Sequence, residues 1–159
     1  GYTEKDWGKS FPKSWIWVQA NHFRKNKISL SASIARIPLL GTQFAGFIIG
    51  LLIEEKFYRF TTYRSSKIDH LSFSNNKIEW VVKQKELTLK IFISLGEKTG
   101  LLFAPDSKDM IEKVEEHLDS KVRFKLENNG KIIFEDESSF AASEVVGDIR
   151  ALFKLANNN

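Results

Sequence analysis

Apolar and polar positions alternate with period two through most of this chain. Ile28, Leu30, Ala32 and Ile34 share one side of an extended segment while Ser29, Ser31 and Ser33 take the other, the pattern of a strand with one buried face. Leu87, Leu89, Ile91, Ile93 and Leu95 repeat it, as do Ile78, Trp80 and Val82, and Val122, Phe124 and Leu126. Turn signals at Asn75-Asn76-Lys77, Gly96-Glu97-Lys98 and Asn128-Asn129-Gly130 separate these runs and mark tight hairpins. The pattern predicts strands over roughly 14–24, 28–36, 43–53, 56–64, 67–74, 77–84, 86–95, 98–103, 121–127 and 131–136. Eight to ten short antiparallel strands in one chain suggest a closed barrel or a sandwich.

Two segments depart from this period. Met110, Ile111, Val114 and Leu118 follow helical spacing after Pro105-Asp106-Ser107, which predicts one short additional helix. Val145, Val146, Ile149, Leu152, Phe153 and Ala156 form a second stripe, with Ser143 as candidate N-cap and Glu144 and Asp148 near the positive end of the dipole. This predicts a C-terminal helix over about 143–156, packed on the outside of a barrel. The 44–53 run is apolar on both faces, as in a central strand covered on both sides or a surface that meets a partner or a membrane.

Composition narrows the chemistry. The 159 residues suffice for a single domain, and the absence of Cys excludes disulfides, thiol catalysis and Cys-ligated metals. His22, His70 and His117 lack metal-ligand spacing, so no metal site is expected. Net charge is +4 without a long basic run, so no nucleic-acid partner is expected either. The polar N-terminus and the absence of a roughly 20-residue apolar span predict a protein that is cytoplasmic or peripheral to a membrane.

Twenty aromatic rings stand out, and several concentrate near the start. In a strand over 15–23, Trp15, Trp17, Gln19, Asn21 and Phe23 point one way and Ile16, Val18, Ala20 and His22 the other. Two amides among three rings are either structural groups with backbone partners or the fixed polar points of an aromatic-lined pocket. Asp69 and His70, as strand neighbours, point to opposite faces. Arg59 and Arg64, near Tyr58 and Tyr63, are suited to bridging strands or to an anionic or phenolic oxygen.

The string Glu4-Lys5-Asp6-Trp7-Gly8-Lys9-Ser10-Phe11-Pro12, followed by Trp15-x-Trp17-x-Gln19-x-Asn21-x-Phe23, resembles the signature of the tocopherol cyclase family. Ile34 to Phe47, Tyr58-Arg59-Phe60-Thr61-Thr62-Tyr63, Phe134-Glu135 and Glu144-Val145-Val146-Gly147 are similar too. The likeness extends more distantly to carotenoid hydratase-type proteins. It implies an all-β, antiparallel, lipocalin-like (calycin-type) barrel over residues 1–159, corresponding to the C-terminal half of a longer two-domain protein. It further implies cofactor-independent, proton-initiated ring closure on a prenylated quinol, the alternative being a non-catalytic binding domain for an apolar small molecule or a structural half-domain.

Such chemistry calls for an acid beside aromatic faces. Glu4 and Asp6 are the candidate proton donors, and Trp7, Trp15, Trp17, Gln19, Asn21, Tyr58 and Trp80 the candidate ligand-binding set. The expected partners are an apolar prenylated molecule, a peripheral membrane contact, and an N-terminal partner domain or a second copy of the chain.

Overall fold

The computed structural model describes residues 11–106 and 109–157. Ten strands precede one helix: β1 (Ser14–Ala20), β2 (Ile28–Leu39), β3 (Thr42–Ile53), β4 (Lys56–Thr61), β5 (Lys67–Ser74), β6 (Lys77–Gln84), β7 (Leu87–Ser94), β8 (Thr99–Asp106), β9 (Asp109–Asn128), β10 (Lys131–Gly147) and α1 (Ile149–Ala156). Tight two-residue connections join many of them. Asn75 and Asn76 both adopt positive φ between the paired Ser74 and Lys77, as Asn129 and Gly130 do between Asn128 and Lys131. Turns of this hand match the twist of the strands they connect.

The strands form one antiparallel sheet in the order β4-β3-β2-β1-β10-β9-β7-β6-β5, with β8 also pairing to β9. The expected closed barrel is not what forms. β4 and β5 are consecutive in the chain, yet they are the two edges of the sheet and share no ladder among the described residues. A 3-10 turn at Thr62–Arg64, ended by Ser65 at φ 62°, separates them. The hydroxyl groups here bond to the main chain: Thr61 N donates to Ser66 Oγ at 3.1 Å and Phe47 N to Thr62 Oγ1 at 2.7 Å.

The core lies on one face of this sheet. Ile16, Val18, Leu30, Ile34, Ile49 and Leu51 pack there with Trp80, Phe60 and Phe124, all fully buried. Phe124 stacks on Phe134 with centroids 6.0 Å apart and meets Phe23 edge-on at 5.3 Å.

α1 belongs to this core rather than to the outside. Its Leu152 and Ala156 are fully buried in the same cluster. Asn157 then treats the edge strand as a neighbouring strand would: its Oδ1 accepts from Leu71 N at 3.2 Å and its Nδ2 donates to Leu71 O at 3.1 Å. An edge otherwise left with unpaired backbone groups is thereby covered. Asn157→Ala is expected to destabilise the fold by about 1–2 kcal/mol in urea unfolding, because both Leu71 groups lose their partner.

Two further expectations are corrected. The segment expected as a helix around Met110–Leu118 is the first half of β9, paired to β8 from Thr99↔His117 to Asp106↔Asp109. Met110, Val114 and Leu118 also fit an alternating pattern, and pairing with the apolar β8 decides between the two periods. The C-terminal helix starts at Asp148, whose Oδ1 accepts from Ala151 N at 3.0 Å. Residues 143–147 instead extend β10 against β1, and Ser143 is buried with its Oγ 2.6 Å from Ser120 Oγ.

Among the described residues, Ser14 Oγ, Thr61 Oγ1 and Trp80 Nε1 are enclosed and meet no hydrogen-bond partner. Thr61→Val keeps the shape, removes the orphaned hydroxyl and suits a strand. It is expected to raise stability by about 1 kcal/mol, readable as a higher urea midpoint with unchanged slope. Among the described residues no helix is long and apolar enough to cross a membrane.

Candidate functional site

β1 runs through the middle of the sheet between β2 and β10. Its even residues Ile16, Val18 and Ala20 point into the main core, so its odd residues Trp15, Trp17 and Gln19 lie on the opposite, outer face. Residues directly opposed across a ladder share a face, and the register therefore maps this surface. Ala35, Trp15 and Val146 form one row, and Ser33, Trp17, Glu144 and Glu116 the next.

A diagonal contact ties the two rows together. Trp15 Nε1 donates to Glu144 Oε2 at 2.6 Å, a short bond that holds the carboxyl group in one orientation. Trp15 is almost fully buried and Glu144 half-buried. The ring of Phe11 stands edge-on to Trp15 at 5.6 Å.

The β8–β9 hairpin covers part of this face. The register slips by one residue between Leu102 and Phe103, a bulge of the kind that bends a strand. Ala104 and Val114 pack with Trp15, and Trp17, Ala35 and Val146 complete this second, smaller cluster. Other apolar side chains of the hairpin are exposed, Leu101 and Phe103 each at 62%.

The end of β10 depends on a glycine. Gly147 has φ +78°, and a Cβ there would stand 2.0 Å from the carbonyl oxygen of Lys13. Only glycine lets β10 finish against the start of β1, two residues before Trp15, and this close approach sets Val146 opposite Trp15.

The sequence-derived site residues do not form one pocket. Glu4, Asp6 and Trp7 lie outside the described residues. Trp15, Trp17 and Gln19 share the outer face, while Asn21 lies just past β1, exposed, where it accepts a hydrogen bond from Ser29 Oγ. Trp80 is on the other side of the sheet in the main core, edge-on to Phe47 at 6.3 Å. Tyr58 packs against that core at the β4 edge, beneath Lys56 Nζ at 4.8 Å from its ring. The sheet itself separates these two from the tryptophans of β1.

Glu144 is the partner of Trp15 that the sequence pattern misplaces. Ser143-Glu144 reads as a helix start, yet the following Val145-Val146 pair is a β-branched strand signal. Among the described residues no group of three or more His, Asp and Glu side chains is arranged to hold a metal ion.

The residues of this face lie within a longer match. A family profile described as "Tocopherol cyclase-like" matches residues 1–147. The chain belongs to the tocopherol cyclase-like family. Two curated relatives are similar over a shorter stretch. "Probable tocopherol cyclase, chloroplastic" of Oryza sativa subsp. japonica is 38% identical over 66 residues, and "Tocopherol cyclase, chloroplastic" of Zea mays 35% identical over 66 residues. Each alignment covers 39% of this chain and 14% of the relative. No solved structure matches the chain. In this tocopherol cyclase-like chain, Trp15, Trp17 and Glu144 all fall inside the residues the family profile matches.

Proposed function

We propose that the face bearing Trp15, Trp17, Gln19 and Glu144 binds a prenylated quinol-type molecule and closes its ring by proton-initiated addition. The observation that carries this reading is the 2.6 Å bond from Trp15 Nε1 to Glu144 Oε2 in a member of the tocopherol cyclase-like family. It sets an oriented carboxyl group beside two indole rings, an acid next to surfaces that stabilise a cation. The main core supports the placement, since Trp80, Phe60 and Phe124 fill it.

In this reading the Glu144 carboxyl gives its proton to one alkene carbon of the prenyl chain, leaving a tertiary cation on the other. The quinol oxygen forms the new C–O bond to that cation, and its proton returns to Glu144. Substrate and product are isomers, so the reaction consumes no oxidant or reductant. Trp15 is the positioning residue, Trp17 the ring facing the cation, and Gln19 a donor or acceptor for the second quinol oxygen. Glu4 and Asp6 are rival acids.

The test is incubation of the chain with a prenylated benzoquinol in D2O. The expected product is a chromanol carrying one non-exchangeable deuterium on the carbon that received the proton. Binding without product supports the rival reading of a non-catalytic binding domain, and neither binding nor product removes both.

A further inference from the structure

A second surface of the molecule is organised around unpaired positive charge. On the outer face of β5, β6, β7, β9 and β10, three lysines toward the sheet's other end sit in salt bridges: Lys83 with Asp69 at 2.7 Å, Lys90 with Glu127 at 2.6 Å and Lys125 with Glu135 at 3.2 Å. The pairing stops at a groove of about 480 Å3 whose lining includes Lys77, Phe92, Ser94, Lys121 and Arg123. No acid among the described residues pairs with any of its three cations. Glu137, which also lines the groove, is bonded to Arg24, leaving Glu79 as the acid there without an ion-pair partner.

The register shows how the cations converge. Lys77, Ser94 and Lys121 are directly opposed in one row across β6, β7 and β9, and Glu79, Phe92, Arg123 and the Arg24-bonded Glu137 form the row beside it. Two strand spacings put the Lys77 and Lys121 backbones about 10 Å apart, and two residues along β9 put Arg123 about 7 Å from Lys121. Lysine and arginine side chains reach across such spans, so all three can contact one tetrahedral anion between them. The Arg123 guanidinium lies 4.7 Å from the Phe92 ring centroid, a cation–π contact that holds the group over the ring. Hydroxyl groups of Ser74, Ser94 and Ser139 add neutral donors to the lining.

We infer that this groove binds a phosphate group, with Lys77 and Lys121 as the charge clamp, Arg123 as the donor held over Phe92 and Ser94 between them. The volume suits the head of a small organic phosphate. A free phosphate ester and the headgroup of an anionic lipid present the same chemistry. The inference is independent of the ring-closing site, because no residue is shared.

Two measurements on the intact chain test it. The first titrates inorganic pyrophosphate while following backbone amide shifts, and the second measures co-sedimentation with phosphatidylglycerol vesicles against phosphatidylcholine vesicles. Each is repeated on K77E/K121E and on K67E/K131E, which carries the same charge change away from the groove. Saturable shifts at Ser94 and Lys121, weakened at least tenfold in K77E/K121E and less than threefold in K67E/K131E, establish the site for free phosphate. Selective sedimentation with phosphatidylglycerol that K77E/K121E loses and K67E/K131E keeps establishes it for a lipid headgroup. If neither probe binds, or if both variants lose binding equally, the inference is wrong. Retained amide dispersion in the variants shows that any loss is not unfolding.

Discussion

Glu144→Gln is expected to lower ring closure of a prenylated quinol by roughly 10²–10⁴-fold, the usual worth of a positioned proton donor, while leaving ligand affinity within about threefold. The amide keeps the shape of the side chain, and its oxygen still accepts from Trp15 Nε1, so the face is preserved. What it loses is a transferable proton. Trp15→Phe makes the complementary change, keeping an aromatic face but removing the donor that orients Glu144. Its kcat is expected to fall by about tenfold with KM little changed, the signature of a positioning residue. The rival acids are separated in the same assay by E4Q and D6N. If either of these abolishes turnover while Glu144→Gln does not, the acid has been misassigned.

The largest expected loss of stability comes from Phe124→Ala, at about 3–5 kcal/mol. Phe124 is fully buried in the C-terminal half of β9, directly opposed to Ile91 on β7 and Asp136 on β10, and its ring contacts both Phe23 and Phe134. Removing it leaves a cavity that rigid strands on both sides cannot collapse to fill. Against a total stability of roughly 5–15 kcal/mol for a domain, such a loss brings the chain close to its unfolding midpoint. Urea denaturation followed by tryptophan fluorescence reads the shift. Phe140→Ala is the control, since that ring is 65% exposed, and it is expected to change stability by no more than about 0.5 kcal/mol.

The strands and their buried faces were legible wherever one face is polar. The serines of β2 and the lysines of β9 mark the outward positions, and Ile28–Ile34 and Val122–Leu126 fold as that alternation predicts. Where a segment satisfies two periods, the partner decides. Met110–Leu118 becomes strand because β8 lies beside it, and Val145–Val146 becomes strand because β1 does. β1 posed a different ambiguity, since both of its faces are apolar. Which side carries Trp15 and Trp17 depends on where the main core forms, a property of the whole sheet.

Closure of the sheet was illegible for the same reason. Each strand could be recognised locally, but whether β4 and β5 meet is settled by the Thr62–Arg64 turn and by α1. Asn157, near the end of the chain, supplies to Leu71 the bonds that a closing strand would have made. Of the candidate site, the aromatic residues of β1 could be read from the family-like motif. Their separation from Tyr58 and Trp80, and their pairing with a glutamate 129 positions away in sequence, could not.

The most direct test of where the ligand binds uses the indole N–H resonances of the intact chain, assigned by single Trp→Phe variants. Titration with a prenylated benzoquinol is predicted to shift the Trp15 and Trp17 signals and to produce intermolecular NOEs to their rings, while the Trp80 signal stays in place. Shifts and NOEs confined to Trp80, with Trp15 and Trp17 unmoved, would put the ligand inside the core and contradict an outer-face site built on Glu144.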